Sequence, residues 1–181
     1  MKNRNQHTNP FSLSVKVVFV LGGNGLIGQE IVKLFSLSAD HIKILDIQNG
    51  ATSNKGQTDN DLISTTYFDC SNLEELEENY SKILDENCPH VYVNCSYPRT
   101  DEWHNQSFES VAFDSYRRNV DIHLNSFAWL AKMTANAMKS HDIKGSIIQL
   151  GSIYGIRGQD LNVYKGTSMS ENMTYSVIKG G

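Results

Sequence analysis

The chain has 181 residues, 39% hydrophobic and 20% charged, which suits one soluble globular domain with enough apolar material for a core. A net charge of −4 and a pI near 5.8 argue against nucleic acid as a partner, because no basic stripe exists to meet a run of phosphates. No apolar run approaches the roughly 18 residues a membrane helix needs. Cys70, Cys88 and Cys95 have no metal-ligand spacing, so reduced thiols in a cytoplasmic protein and no metal site are expected.

Residues 1–14 are polar and lack the apolar centre of a secretory signal, so a disordered leader is expected ahead of one domain spanning 15–181. Val15 to Leu21 reads as a buried strand. Glycines follow at Gly22, Gly25 and Gly28, and then Ile27, Ile31, Leu34 and Phe35 recur at helical spacing. Strand, glycine turn and helix in succession form a phosphate cradle, in which backbone N–H groups and a helix N-terminus meet a pyrophosphate. Gly22, Asn24, Gly25, Leu26, Ile27 and Gly28 are the predicted cofactor loop, with a turn that uses glycine only for packing as the alternative.

A second strand runs from His41 to Ile47 through Asp46, and residues 48–61 form a polar loop. A third strand, from about Leu62 to Phe68, ends on Asp69. Ser71 and Glu74 then have the spacing of a capping box. The helix behind it shows Leu73, Leu76, Tyr80, Ile83 and Leu84 on one face, with Glu74, Glu75, Glu77 and Glu78 on a solvated one. His90 to Ser96 is the fourth strand. One long helix is expected from about Phe108 to Ser140, burying Tyr116, Val120, Leu124, Phe127, Ala131 and Met138. Gly145 to Ser152 is the fifth strand, a long loop covers 153–174, and a further helix begins at Tyr175. Strands alternating with helices predict an α/β fold with a doubly wound parallel sheet, whose ligands lie at the carboxyl ends of the strands. Asp46, Asp69, Asn94 and Ser152 all fall at those ends.

Asp46, eighteen residues after Gly28, suits an adenosine ribose hydroxyl and would repel a 2′-phosphate, so NAD is expected over NADP. A solvated strand end is the alternative. Asp69, with Cys70 beside it, could meet the adenine edge. Tyr175 and Lys179 are four apart and share a helix face, where an ammonium would favour the phenolate. Such a tyrosine can pass a proton to or from an oxygen while hydride moves at the carbon, and Ser152 can hydrogen-bond the same oxygen.

With these motifs in this order, the sequence from Val15 to Gly181 resembles a short-chain dehydrogenase/reductase, an NAD(P)-binding Rossmann-type family. Gly22-Gly-Asn-Gly25-Leu-Ile-Gly28 matches its cofactor loop, with Leu21 in place of the usual threonine. Asn94-Cys-Ser-Tyr97 takes the place of an Asn-Asn-Ala-Gly segment and keeps its first residue. By resemblance Tyr175 is the acid/base, Lys179 lowers its pKa and holds the ribose, Ser152 orients the substrate oxygen, and Asn94 belongs to the cofactor site. The family's catalytic asparagine is replaced by His123, with Asn119 one turn earlier, and a satisfied core histidine is the alternative reading. The spacing of twenty-three positions from Ser152 to Tyr175 predicts a loop overhanging the substrate, where Arg157, Lys165 and the tyrosines suit a polar, anionic ligand; a surface insertion is the alternative.

Four segments, at 94–99, 151–155, 164–167 and 175–181, are similar to a subgroup linked to flagellin modification and nonulosonic sugar biosynthesis. The resemblance implies an NAD-dependent oxidoreductase acting on a sugar-like or nucleotide-sugar alcohol or carbonyl, a homo-oligomer in full-length form. It also implies truncation at the C-terminus relative to the family, because members continue beyond the Tyr-x-x-x-Lys helix. The 181 residues are therefore expected to be inactive by themselves. A catalytically silent nucleotide-binding piece is the competing function, and a general carbonyl or 3-oxoacyl reductase is a third.

Overall fold

The computed structural model describes residues 16–48 and 62–181; the predicted leader (1–14) and nearly all of the polar loop (48–61) lie outside the described residues. Five strands, β1 (Val17–Leu21), β2 (His41–Asp46), β3 (Ile63–Tyr67), β4 (Val91–Asn94) and β5 (Ser146–Gln149), form one parallel sheet in the order β3-β2-β1-β4-β5. The order reverses between β1 and β4, and a crevice opens at such a switch point above the carboxyl ends of the strands. The α/β doubly wound sheet expected from the sequence is the one observed.

The central strands alternate their side chains between two cores. Val18, Val20, Ile42, Ile44, Val91 and Val93 face α1 (Leu26–Phe35) through Val32. Phe19, Leu21, Leu45 and Tyr92 face α2 (Leu76–Glu86) and α4 (Ser126–Ser140) through Leu76, Tyr80, Leu84 and Leu130. Each such side chain fully buried contributes about 1.5–3 kcal/mol, so these two layers fix the strand register. Tyr80 and Thr134 share a buried hydrogen bond of 2.7 Å that ties α2 to α4.

Several expected elements are placed differently. On α1 the buried positions are Gly28 and Val32, whereas Ile27 and Leu34 are 56% and 66% exposed. The capping box at Ser71 and Glu74 does not form, because the Asp69 carboxylate takes both the N–H and the hydroxyl of Ser71, and α2 starts later, at Leu76. Leu73 is consequently left outside the buried face.

The long helix begins at Phe113, not Phe108, and is interrupted: α3 (Phe113–Val120) passes through a π-helical turn (Asp121–Asn125) into α4. Its buried stripe is Ser115, Asn119, Ile122, His123, Ser126, Leu130, Thr134 and Met138, largely one residue away from the apolar stripe expected. That stripe can be polar because its side chains bond carbonyls one turn back: Asn119 to Ser115, His123 to Asn119, Ser126 to Ile122 and Thr134 to Leu130. The last helix, α5 (Met173–Gly180), packs Thr174 and Ile178 inward.

Candidate active site

The glycine turn after β1 is built for close approach. Gly22 has φ of +73°, and a Cβ there would lie 2.7 Å from the Ser96 backbone. Gly28 packs against the Gly22 carbonyl, leaving no room for a side chain beneath the loop. Gly25 is the N-cap of α1 and offers the helix no capping side-chain bond, so its first N–H groups face open space. Asp46 fixes the loop's other wall, as Oδ2 accepts the Asn24 N–H at 2.9 Å and Oδ1 accepts the Gln48 N–H at 3.0 Å. The Asn24 amide in turn donates to the Gln48 carbonyl at 2.7 Å.

Above this loop lies a cleft of about 540 Å³. Gly22, Asn24, Gly25, Leu26, Ile27, Asp46, Asp69 and Cys70, all expected from the sequence, line it. Leu26 and Ile27 are exposed apolar residues at the start of α1, on the cleft wall. Asn94 lies behind the wall: its Oδ1 accepts the Ser96 N–H and hydroxyl, while its Nδ2 is buried without a partner. The donor set fits a dinucleotide: a glycine cradle, an uncapped helix N-terminus for phosphates and a fixed carboxylate at a strand end.

A second cavity of about 530 Å³ brings Ser152 and Tyr175 onto one wall, together with Tyr154, Tyr164 and Glu171. Tyr175 is set by α5, which Asn172 caps by accepting the Tyr175 N–H on its side-chain oxygen at 2.7 Å. Lys179, one turn on, donates to the Leu150 carbonyl at 2.7 Å and stands 5.9 Å from the Tyr175 ring centre. Burial holds its ammonium below the ordinary lysine range. Lys179 lies on neither cavity wall. Arg157 and Lys165 are exposed and line neither cavity, contrary to the expectation that they would meet an anionic ligand.

His123 is buried in an aromatic box, with ring centres 4.9 Å from Tyr97, 5.9 Å from Trp103 and 5.7 Å from Phe127. Its Nδ1 bonds the Asn119 carbonyl at 2.9 Å, and Nε2 closes no well-aligned bond. Asn119 is buried beside it, with Oδ1 unpartnered.

Two residues not singled out from the sequence hold α5 in place. Gln106 donates to the Ser115 hydroxyl and accepts from Thr174, both at 2.7 Å. Gln159 ties the loop to the helix cap through the Asn172 backbone and the Ser176 hydroxyl. An isolated glutamine in a loop carries no periodic signal. Tyr97, on both cavity walls, follows a strand end and could have been found by that rule.

Residues 16–168 match the short chain dehydrogenase family, and the protein belongs to it. It is 26% identical, over 93% of its length and 68% of the relative's, to post-translational flagellin modification protein A of Campylobacter coli. Among solved structures it is similar to a short chain dehydrogenase of Leptospira borgpetersenii with bound NAD+, at 26% identity and a TM-score of 0.75, covering 94% of this chain and 62% of that one. A 4-hydroxyisoleucine dehydrogenase complexed with NADH shares the fold at 22% identity and a TM-score of 0.72, over 91% of this chain and 62% of that one. The 181 residues thus span less than two thirds of the length of these two structures.

Proposed function

We propose that these residues form the NAD(H) site and reacting groups of an oxidoreductase acting on a polar, sugar-like alcohol or carbonyl. The observation that carries this reading is that Ser152 and Tyr175 share a wall of a cavity adjoining the glycine-loop cleft. The nicotinamide, when bound, supplies or accepts the hydride. Gly22, Gly25 and the start of α1 would hold the phosphates, Asp46 the adenosine ribose, and Asp69 and Cys70 the adenine. The carboxylate of Asp46 would repel a 2′-phosphate, which favours NAD over NADP.

Ser152 orients the substrate oxygen, and Tyr175 gives it or takes from it a proton. Lys179, held at the Leu150 carbonyl, supports Tyr175 from behind and would reach the ribose. His123 stands in place of the family's asparagine, close enough to Lys179 for the ammonium to disfavour protonation of its ring. The second cavity favours a neutral polyol: it is lined by tyrosines, serines and amides, with Glu171 and no lysine or arginine. The likeness to a flagellin modification protein supports carbohydrate biosynthesis as the setting. Three free cysteines fit a reducing cytoplasm, and no described helix is long and apolar enough to cross a membrane. The exposed rings of Phe113 and Trp129 would suit a second copy in a homo-oligomer.

Calorimetry with NADH and NADPH, and a dehydrogenase assay with sugar alcohols and nucleotide sugars, test this. NADH should bind more tightly, and Tyr175→Phe should lower kcat with NADH affinity kept. Tighter NADPH binding would overturn the role of Asp46, and unchanged turnover in Tyr175→Phe would overturn that of Tyr175.

A further inference from the structure

We propose that the Tyr97 hydroxyl is a recognition group for the nicotinamide-riboside end of the cofactor, filled only when the molecule crosses from the first cavity to the second. This rests on the NAD(H) reading above. Among the described residues, Tyr97 alone lines both cavities. The glycine loop, Asp46 and Asp69 lie in the first; Ser152 and Tyr175 lie in the second. Reacting atoms must come within about 3–3.5 Å of each other. A dinucleotide anchored on the glycine loop therefore brings its redox end to Tyr175 past Tyr97.

The ring is held at this junction from several sides. Its centre is 5.1 Å from Trp103, 4.9 Å from His123 and 5.8 Å from Tyr175, and the Lys179 ammonium stands 5.7 Å away. The hydroxyl has no such support. It is buried without a hydrogen-bond partner, although a buried tyrosine ordinarily finds one. Five buried side-chain atoms among the described residues share this state: Tyr92 Oη, Asn94 Nδ2, Tyr97 Oη, Asn119 Oδ1 and His123 Nε2. Of their residues, only Tyr97 lines either of these two cavities. Burial and the neighbouring Tyr175 hold its phenol above the ordinary range, so it remains a donor. A small turn of the side chain would present that donor to a ribose hydroxyl or carboxamide oxygen entering the junction. Adenosine diphosphate, confined to the first cavity's far end, would not reach it.

The test is Tyr97→Phe in the protein, with NADH and ADP affinities measured and thermal unfolding followed on the ligand-free form. NADH affinity should fall about three- to tenfold, the worth of one neutral hydrogen bond. ADP affinity should stay within about twofold, and the thermal midpoint should hold or rise, because an unpaired buried hydroxyl has been removed. Unchanged NADH affinity, an equal loss for ADP, or a lowered midpoint would each overturn the proposal. Failure of the unsubstituted protein to bind either ligand would instead remove the NAD(H) reading, and this inference with it.

Discussion

Gly155 lies directly against the backbone carbonyl of Lys179, with no space for a Cβ between them. The turn that follows Ser152 is thereby fastened to the helix that carries Tyr175 and Lys179. A methyl group there must push α5 away or open the turn, and overpacking of this kind costs about 1–3 kcal/mol. Gly155→Ala should lower the urea midpoint and speed amide exchange over residues 173–180. Wild-type stability and exchange in that variant would mean that α5 yields freely.

Asp46 accepts one backbone N–H on each carboxylate oxygen, from Asn24 and from Gln48. In Asp46→Asn one acceptor becomes an NH2 group facing a backbone donor, so one of the two N–H groups loses its partner. Leaving such a group unsatisfied costs about 1–3 kcal/mol. Asp46→Asn should therefore destabilise the ligand-free protein as well as weaken NADH binding. A loss confined to NADH binding would show that Asp46 has no part in holding the loop.

The sheet was legible because β1 is an unbroken apolar run, and β2 and β4 are short stretches dominated by Ile, Leu, Val and Tyr between polar loops, as burial on both faces requires. The glycine cleft was legible for a related reason: Gly22 and Gly28 occupy positions where any Cβ collides with backbone. The long helix misled because its buried stripe is rich in Ser, Asn, His and Thr. A periodicity of apolar residues cannot reveal side chains that satisfy themselves on carbonyls one turn back. Tyr175 was found by its helical spacing to Lys179 and Ser152 by its place at a strand end, and the structure adds that the two face one cavity. Gln106 and Gln159 could not be read at all, since their function lies in bonds to residues up to 68 positions away.

Lys43 is buried on β2, and its ammonium meets the exposed Glu86 carboxylate at 2.8 Å. The hydrogen bond and charge of Lys43 hold the Glu86 carboxyl below its ordinary value of 4.5. A carboxyl depressed on folding adds stability above its ordinary value, and the gain is lost as pH falls through the lowered one. Unfolding free energy should therefore decline in acid below about pH 4.5. Glu86→Gln should lower stability at pH 7 and flatten that decline. An unchanged acid profile would show that the pair contributes nothing to folding.

His123 gives a separate pH signature at higher pH. Its Nδ1 donates to the Asn119 carbonyl, so the neutral ring carries a proton there. Burial is the largest influence on the ring and holds its pKa below the ordinary 6.5; the Lys179 charge acts in the same direction, while the Asn119 and Pro98 carbonyls oppose it. The unfolded state then binds a proton that the folded one refuses. This histidine's full stability contribution is present above its ordinary value and is lost as pH falls from there toward the lowered one. His90, also shifted downward by burial, works in the same sense, so the difference between variants is the useful quantity. Stability measured by urea unfolding should fall between about pH 7 and pH 5, and less steeply in His123→Phe, whose ring suits the box of Tyr97, Trp103 and Phe127. Nitrogen-15 NMR should show the ring titrating below the ordinary histidine value of 6.5. A titration midpoint at or above 6.5, or an unchanged slope in the variant, would place His123 in contact with solvent and contradict the buried geometry.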